Sequence, residues 1–199
     1  MTPTRNSTQL RVASDSDRSQ VISNGVLGML LFVISETVLF GGMISGFLII
    51  QATAPIWPPP GQPRLPVEAT AFNTAVLFLS AFALANAHRR LKQMDRAGTE
   101  KALTWALALG AFFVLFQGYE WVQLIYEGLT LTSSTLGAFF YLIVGVHALH
   151  AVAALCALLY TWMGLRAGWL VMSQLATAEV LWYWVVAIWP VIYGIVYLS

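Results

Sequence analysis

The chain has 199 residues, 58% of them hydrophobic and 10% charged, with a formal net charge of +1. A soluble domain carries about a quarter charged residues, so this composition cannot cover a water-facing surface and marks a membrane protein. The near-neutral balance offers no basic face for nucleic acid. The single cysteine, Cys156, excludes an internal disulfide and argues against a thiolate metal cluster.

Residues 1–23 are polar, with Ser, Thr, Asp and Arg scattered through them, and read as a soluble cytoplasmic tail rather than a cleavable signal. Residues 24–199 form the membrane domain. Five apolar segments follow in order, at 25–50, 71–87, 102–126, 135–162 and 175–198. At about 1.5 Å rise per residue, each is long enough to cross a ~30 Å hydrocarbon core. Lipid cannot satisfy an open backbone, and the alternation of a barrel strand is absent, so all five should be helices. The expected fold class is all-α, a polytopic bundle of five transmembrane helices.

Sidedness follows from the basic residues. Arg5, Arg11, Arg18, Arg89, Arg90, Lys92, Arg96, Lys101 and Arg166 fall on one side, and Arg64 alone on the other. The positive-inside rule then puts the N-terminus in the cytoplasm and the C-terminus outside. The first outer loop holds Trp57, Pro58, Pro59, Pro60, Pro63 and Pro66. Consecutive prolines favour a stiff extended path, and Trp57 suits the membrane interface.

Four ionisable residues lie inside apolar runs: Glu36, Glu120, His147 and His150. A charge in hydrocarbon is costly, which makes each a candidate functional residue. Glu36 sits about 16 Å into the first helix, close to mid-membrane, where no Lys or Arg is available. Desolvation there favours a carboxyl that keeps its proton. Glu36 is either a proton-exchanging group or a neutral hydrogen-bonding acid. Ser35, Gly42 and Gly46 share a face of the same helix and read as a packing stripe. His147 and His150 share a face of the fourth helix, and with Glu120 of the third they could form a buried structural polar cluster. A metal site is the sharper alternative, but the spacing is His-x-x-His with the carboxylates on other helices, and no metal is expected. Glu179 reads as an acid favoured by the dipole of a first helical turn, and His88 as a helix-end polar residue. The aromatics Trp182, Tyr183, Trp184 and Trp189 read as packing.

Several of these strings resemble a known family. Met29 to Glu36 is similar to its helix with a Ser-Glu pair, and Trp57-Pro58-Pro59 to its outer-loop signature. Phe72-Asn73-Thr74 and Ala87-His88 resemble two strings of its next helix, Phe113 to Glu120 its Phe-x-Leu-x-Gln-x-x-Glu motif, and Gly145-x-His147-x-x-His150 its Gly-x-His-x-x-His helix. In these stretches, which run in the family's order, the chain resembles subunit III of haem–copper cytochrome c oxidases. It departs in the last helix, where Tyr183 and Val186 stand for the family's His and Asp. It also starts where the third helix of seven-helix members begins, so it should lack the lipid-holding V made by the first two.

The resemblance implies a non-redox subunit of a bacterial respiratory terminal oxidase, multi-pass in the inner membrane. It would stabilise the catalytic subunit, hold phospholipid and support proton uptake during oxygen reduction, with Glu36 as the proton-linked residue. Cofactors are expected only in its partners, haem and copper in subunits I and II. The alternatives are a subunit III-like partner of another respiratory complex such as nitric oxide reductase, a stand-alone membrane metalloenzyme, and a small transporter. The lack of internal repeats counts against the transporter.

Overall fold

A computed structural model describes residues 23–198, and the expected N-terminal tail, apart from Ser23, lies outside them. Five helices follow one another: α1 (Asn24–Thr53), α2 (Val67–Lys92), α3 (Arg96–Tyr126), α4 (Thr135–Ala167) and α5 (Met172–Ile192). All five are long and apolar enough to cross a membrane, and no strand occurs among the described residues. The five-span helical bundle expected from hydropathy is therefore present.

The helices overrun the apolar segments because their ends are polar and capped. Ser23 Oγ accepts the Val26 amide at 3.4 Å, Asp95 Oδ1 the Gly98 amide at 2.9 Å, and Ser134 Oγ the Gly137 amide at 3.0 Å. Each satisfies a donor that has no partner inside its own helix. At the other end of α4, Gly168 takes a φ of +82°, a left-handed conformation that glycine adopts without penalty. In α5, Pro190 supplies no amide hydrogen, and the chain passes into a π-helical turn over Tyr193–Tyr197.

Helix α5 is central and packs against α1, α2 and α4, while α2 and α3 form the most extensive pair. Trp182 and Trp189 are fully buried, so the aromatics of the last helix do build core. Trp182 reaches α3 at Gly110, where an added Cβ would lie 2.6 Å from its Cη2 atom. Only glycine admits that approach. Trp57 of the α1–α2 loop packs edge-on to Phe47, with ring centroids 5.5 Å apart.

Candidate functional site

Helices α1 and α4 bring two of the candidate residues together. His150 Nε2 lies 3.2 Å from Glu36 Oε2, with both side chains largely covered. The approach is off the axis of a straight hydrogen bond, and Oε2 is left without a hydrogen-bond partner. His150 Nδ1 lies 2.8 Å from the Val146 carbonyl one turn back. A carbonyl only accepts, so Nδ1 carries hydrogen, and Nε2 of the neutral ring is left with its lone pair.

Aromatic rings enclose this pair. Phe40 is fully buried, with its ring centroid 5.8 Å from His150 and 5.5 Å from Trp184. Phe32 lies 6.1 Å from His150 on the other side. Trp184 donates through Nε1 to Thr37 Oγ1 at 2.9 Å, which ties α5 to α1 one residue from Glu36. Water is thereby kept from most of the pair's surroundings.

His147 has a different environment. It is 1% exposed and stacks on Trp189, with centroids 4.9 Å apart. Neither ring nitrogen has a hydrogen-bond partner, and the ring borders a cavity of about 120 Å³ shared with Gln117 and Trp121.

Glu120 joins neither histidine. The expected cluster fails on depth. Glu120 lies about 9 Å from the C-terminal end of α3, whereas His147 and His150 lie about 18 and 22 Å from the adjoining N-terminal end of α4. The carboxyl that meets the imidazole comes instead from α1. The packing stripe is likewise only partly engaged. Gly46 faces Phe139, with the nearest ring atom 3.4 Å from its would-be Cβ, while nothing lies within 4 Å of Gly42. Ser35 is exposed and donates to the Leu31 carbonyl of its own helix at 3.1 Å.

Two polar arrangements went unread in the sequence. At the basic end, His88 Nδ1 lies 2.7 Å from Glu179 Oε2 and joins α2 to α5. Glu179 is only 6% exposed and sits two turns into α5, not in its first turn, because the helix begins at Met172. Two ionisable residues near the same end of different helices were the available signal. Near the other end, Gln117 Nε2 donates to Tyr197 OH at 3.0 Å, and Asn73 Nδ2 to the Phe113 carbonyl at 3.0 Å. Trp189 Nε1 donates to Thr74 Oγ1 at 2.8 Å. These bonds tie α2, α3 and the end of α5. Asn73 and Gln117 lie in apolar runs as Glu36 does, and the same reasoning would have found them. Among the described residues no group of three or more His, Cys, Asp or Glu side chains converges as metal ligands would.

The family model described as Cytochrome c oxidase subunit III matches residues 12–199. A Synechocystis protein named cytochrome c oxidase subunit 3 is 29% identical over 177 residues, covering 87% of this chain and 75% of its own length. The same-named protein of Thermostichus vulcanus is 30% identical, covering 87% of this chain and 86% of its own length. A probable cytochrome c oxidase subunit 3 of Nocardia farcinica is 28% identical, with 86% of each chain covered. The chain belongs to the cytochrome c oxidase subunit III family.

Proposed function

We propose that this chain is the non-redox subunit III of a bacterial respiratory terminal oxidase. In this reading it stabilises the haem–copper catalytic subunit and supports proton uptake while oxygen is reduced. Family membership carries the assignment to a terminal oxidase. Haem and copper belong to subunits I and II in this reading, and the chain lies in the inner membrane with its N-terminus and basic loops in the cytoplasm. The nine-to-one division of basic residues supports that orientation.

The single observation behind the proton role is the Glu36–His150 contact. A carboxyl oxygen and an imidazole nitrogen stand 3.2 Å apart near mid-membrane, and in this reading the two share one proton. No lysine or arginine lies at that depth to fix the carboxylate's charge. The two forms of the pair, neutral acid with neutral ring or carboxylate with imidazolium, have the same net charge. A proton can move between the two atoms without changing the net charge buried in the bilayer, which is the costly quantity. The pair thus acts as a proton-holding element whose exchange with water is slowed by Phe32, Phe40 and Trp184. Glu120, His147, Gln117 and Asn73 have positioning roles in the bundle.

The test is purification of the native complex through a tag on this chain. Haem spectroscopy and identification of the accompanying subunits should show a haem–copper oxidase core that consumes oxygen. A core that reduces nitric oxide but not oxygen, or a chain that purifies alone, would refute the assignment.

A further inference from the structure

The seam between α3 and α4 holds an interior recess of about 120 Å³ beside His147. Its deep wall is Phe113 and Gln117 of α3, Val144, His147 and Ala151 of α4, and Trp189 of α5, all buried. Its outer wall is Val114, Gly118, Trp121 and Ala148, all half-buried. His147 lies about 18 Å into α4, so the recess sits near mid-membrane.

Four of these residues carry polar side-chain atoms, yet none presents one to the recess. Both His147 nitrogens and Trp121 Nε1 are covered. Gln117 turns its Nε2 to Tyr197 OH at 3.0 Å and its Oε1 to Asn73 Nδ2 at 3.5 Å. Trp189 Nε1 is taken by Thr74 Oγ1. The wall is therefore hydrocarbon throughout. A buried water needs about three hydrogen-bond partners, whereas an apolar cavity of about this size stays dry and takes up xenon or benzene.

Access narrows the occupant further. None of the ten bordering residues is exposed. The wider groove between the same helices, nearer the basic end, is walled by exposed residues, among them Ala108, Val152 and Cys156. A lipid tail or a partner's side chain needs an exposed mouth of that kind. The recess admits only what passes Gly118 and Ala148, which carry little or no side chain. Nothing lies within 4 Å of a Cβ built at Gly118. An unfilled cavity costs packing, and one larger side chain at Gly118 or Ala148 would remove it. Molecules that prefer hydrocarbon to water, need no hydrogen bond and are about as small as water are the simple gases. At about 30 Å³ for a molecule of that size, the recess has room for a few.

We propose that this recess is a binding site for a small apolar gas, and that in the complex it holds dioxygen. The gas site follows from the recess alone, while dioxygen as its occupant rests on the terminal-oxidase reading. Neither depends on Glu36 or His150, which do not border it.

The test uses crystals of the native complex pressurised with xenon, whose anomalous scattering is mapped. A xenon peak should lie between Phe113, His147 and Trp189, with no ordered water there before pressurisation. Gly118→Leu should abolish that peak while xenon sites elsewhere in the complex are kept; if that variant does not assemble, Ala148→Phe on the facing helix is read in the same way. Crystals pressurised with dioxygen should show diatomic density at the same place, lost in the filled variant. The gas site is overturned by ordered water, a lipid tail or a partner's side chain in the recess, by no xenon peak, or by a peak that survives filling. Xenon without dioxygen density overturns dioxygen as the occupant. A complex that binds xenon there but consumes no oxygen refutes the terminal-oxidase reading and leaves the gas site standing.

Discussion

The Glu36–His150 contact makes a quantitative prediction through a double-mutant cycle of Glu36→Leu and His150→Leu. Each single change leaves one buried polar partner alone, the imidazole Nε2 in the first case and the carboxyl in the second. An orphaned buried group costs about 1–3 kcal/mol, although membrane-embedded side-chain hydrogen bonds average about 0.6 and reach about 1.7 in such cycles. The 3.2 Å off-axis geometry lowers the expected coupling, and the shared proton raises it. A coupling of about 1 kcal/mol follows, about a five-fold effect on the unfolding constant. The double variant should therefore be less destabilised than the sum of the singles by that amount. Glu36→Gln should keep most of the stability, since its amide can donate to the Nε2 lone pair that His150 retains. The assay is reversible SDS unfolding of the full chain in mixed micelles, followed by tryptophan fluorescence. Additivity within about 0.3 kcal/mol would mean that the two side chains do not interact, and the pairing would be wrong.

Gly110→Val should destabilise the bundle by about 1–3 kcal/mol in the same assay, because the new side chain meets Trp182 and Leu155; wild-type stability would show that Trp182 does not pack there. Asp95 caps α3, and the Gly98 amide, followed by Arg90, holds its carboxyl below the usual range. The ionised cap therefore adds stability above the carboxyl's ordinary value near pH 4, and that stability is lost as pH falls through the lowered folded value. Hydrogen exchange at the start of α3 should quicken at low pH in the wild type and not in Asp95→Asn; identical pH profiles would refute the cap. A cysteine at Gln93, introduced into a Cys156→Ser chain, should resist a membrane-impermeant thiol reagent added to intact cells, and ready labelling from outside would reverse the topology.

Helix number was legible because the hydrocarbon thickness imposes a minimum apolar length that a sequence displays directly. Helix ends were not, since Ser23, Asp95 and Ser134 start their helices in polar sequence where hydropathy is silent. Glu36 and His150 were legible as costly buried groups, but not as a pair. Pairing depends on which helices adjoin, and Glu120 was the carboxyl expected beside the histidines until the depths along α3 and α4 were set. Glu179 was misread for a related reason: a helix assumed to start near Leu175 places it in the first turn, whereas a start at Met172 carries it into the core. Gly42 shows the same limit, since a small-residue face predicts packing only when a helix lies opposite.

The proton role of Glu36 is tested most directly by the Glu36→Gln complex. Wild-type and variant oxidase, matched for haem and subunit content, would be compared for proton uptake kinetics and for activity over prolonged turnover. Glutamine fills the same space and can hydrogen-bond His150, yet it cannot release a proton. The account predicts intact assembly with slower proton uptake or a shorter catalytic lifetime. Unchanged uptake, coupling and lifetime in the glutamine variant would contradict it.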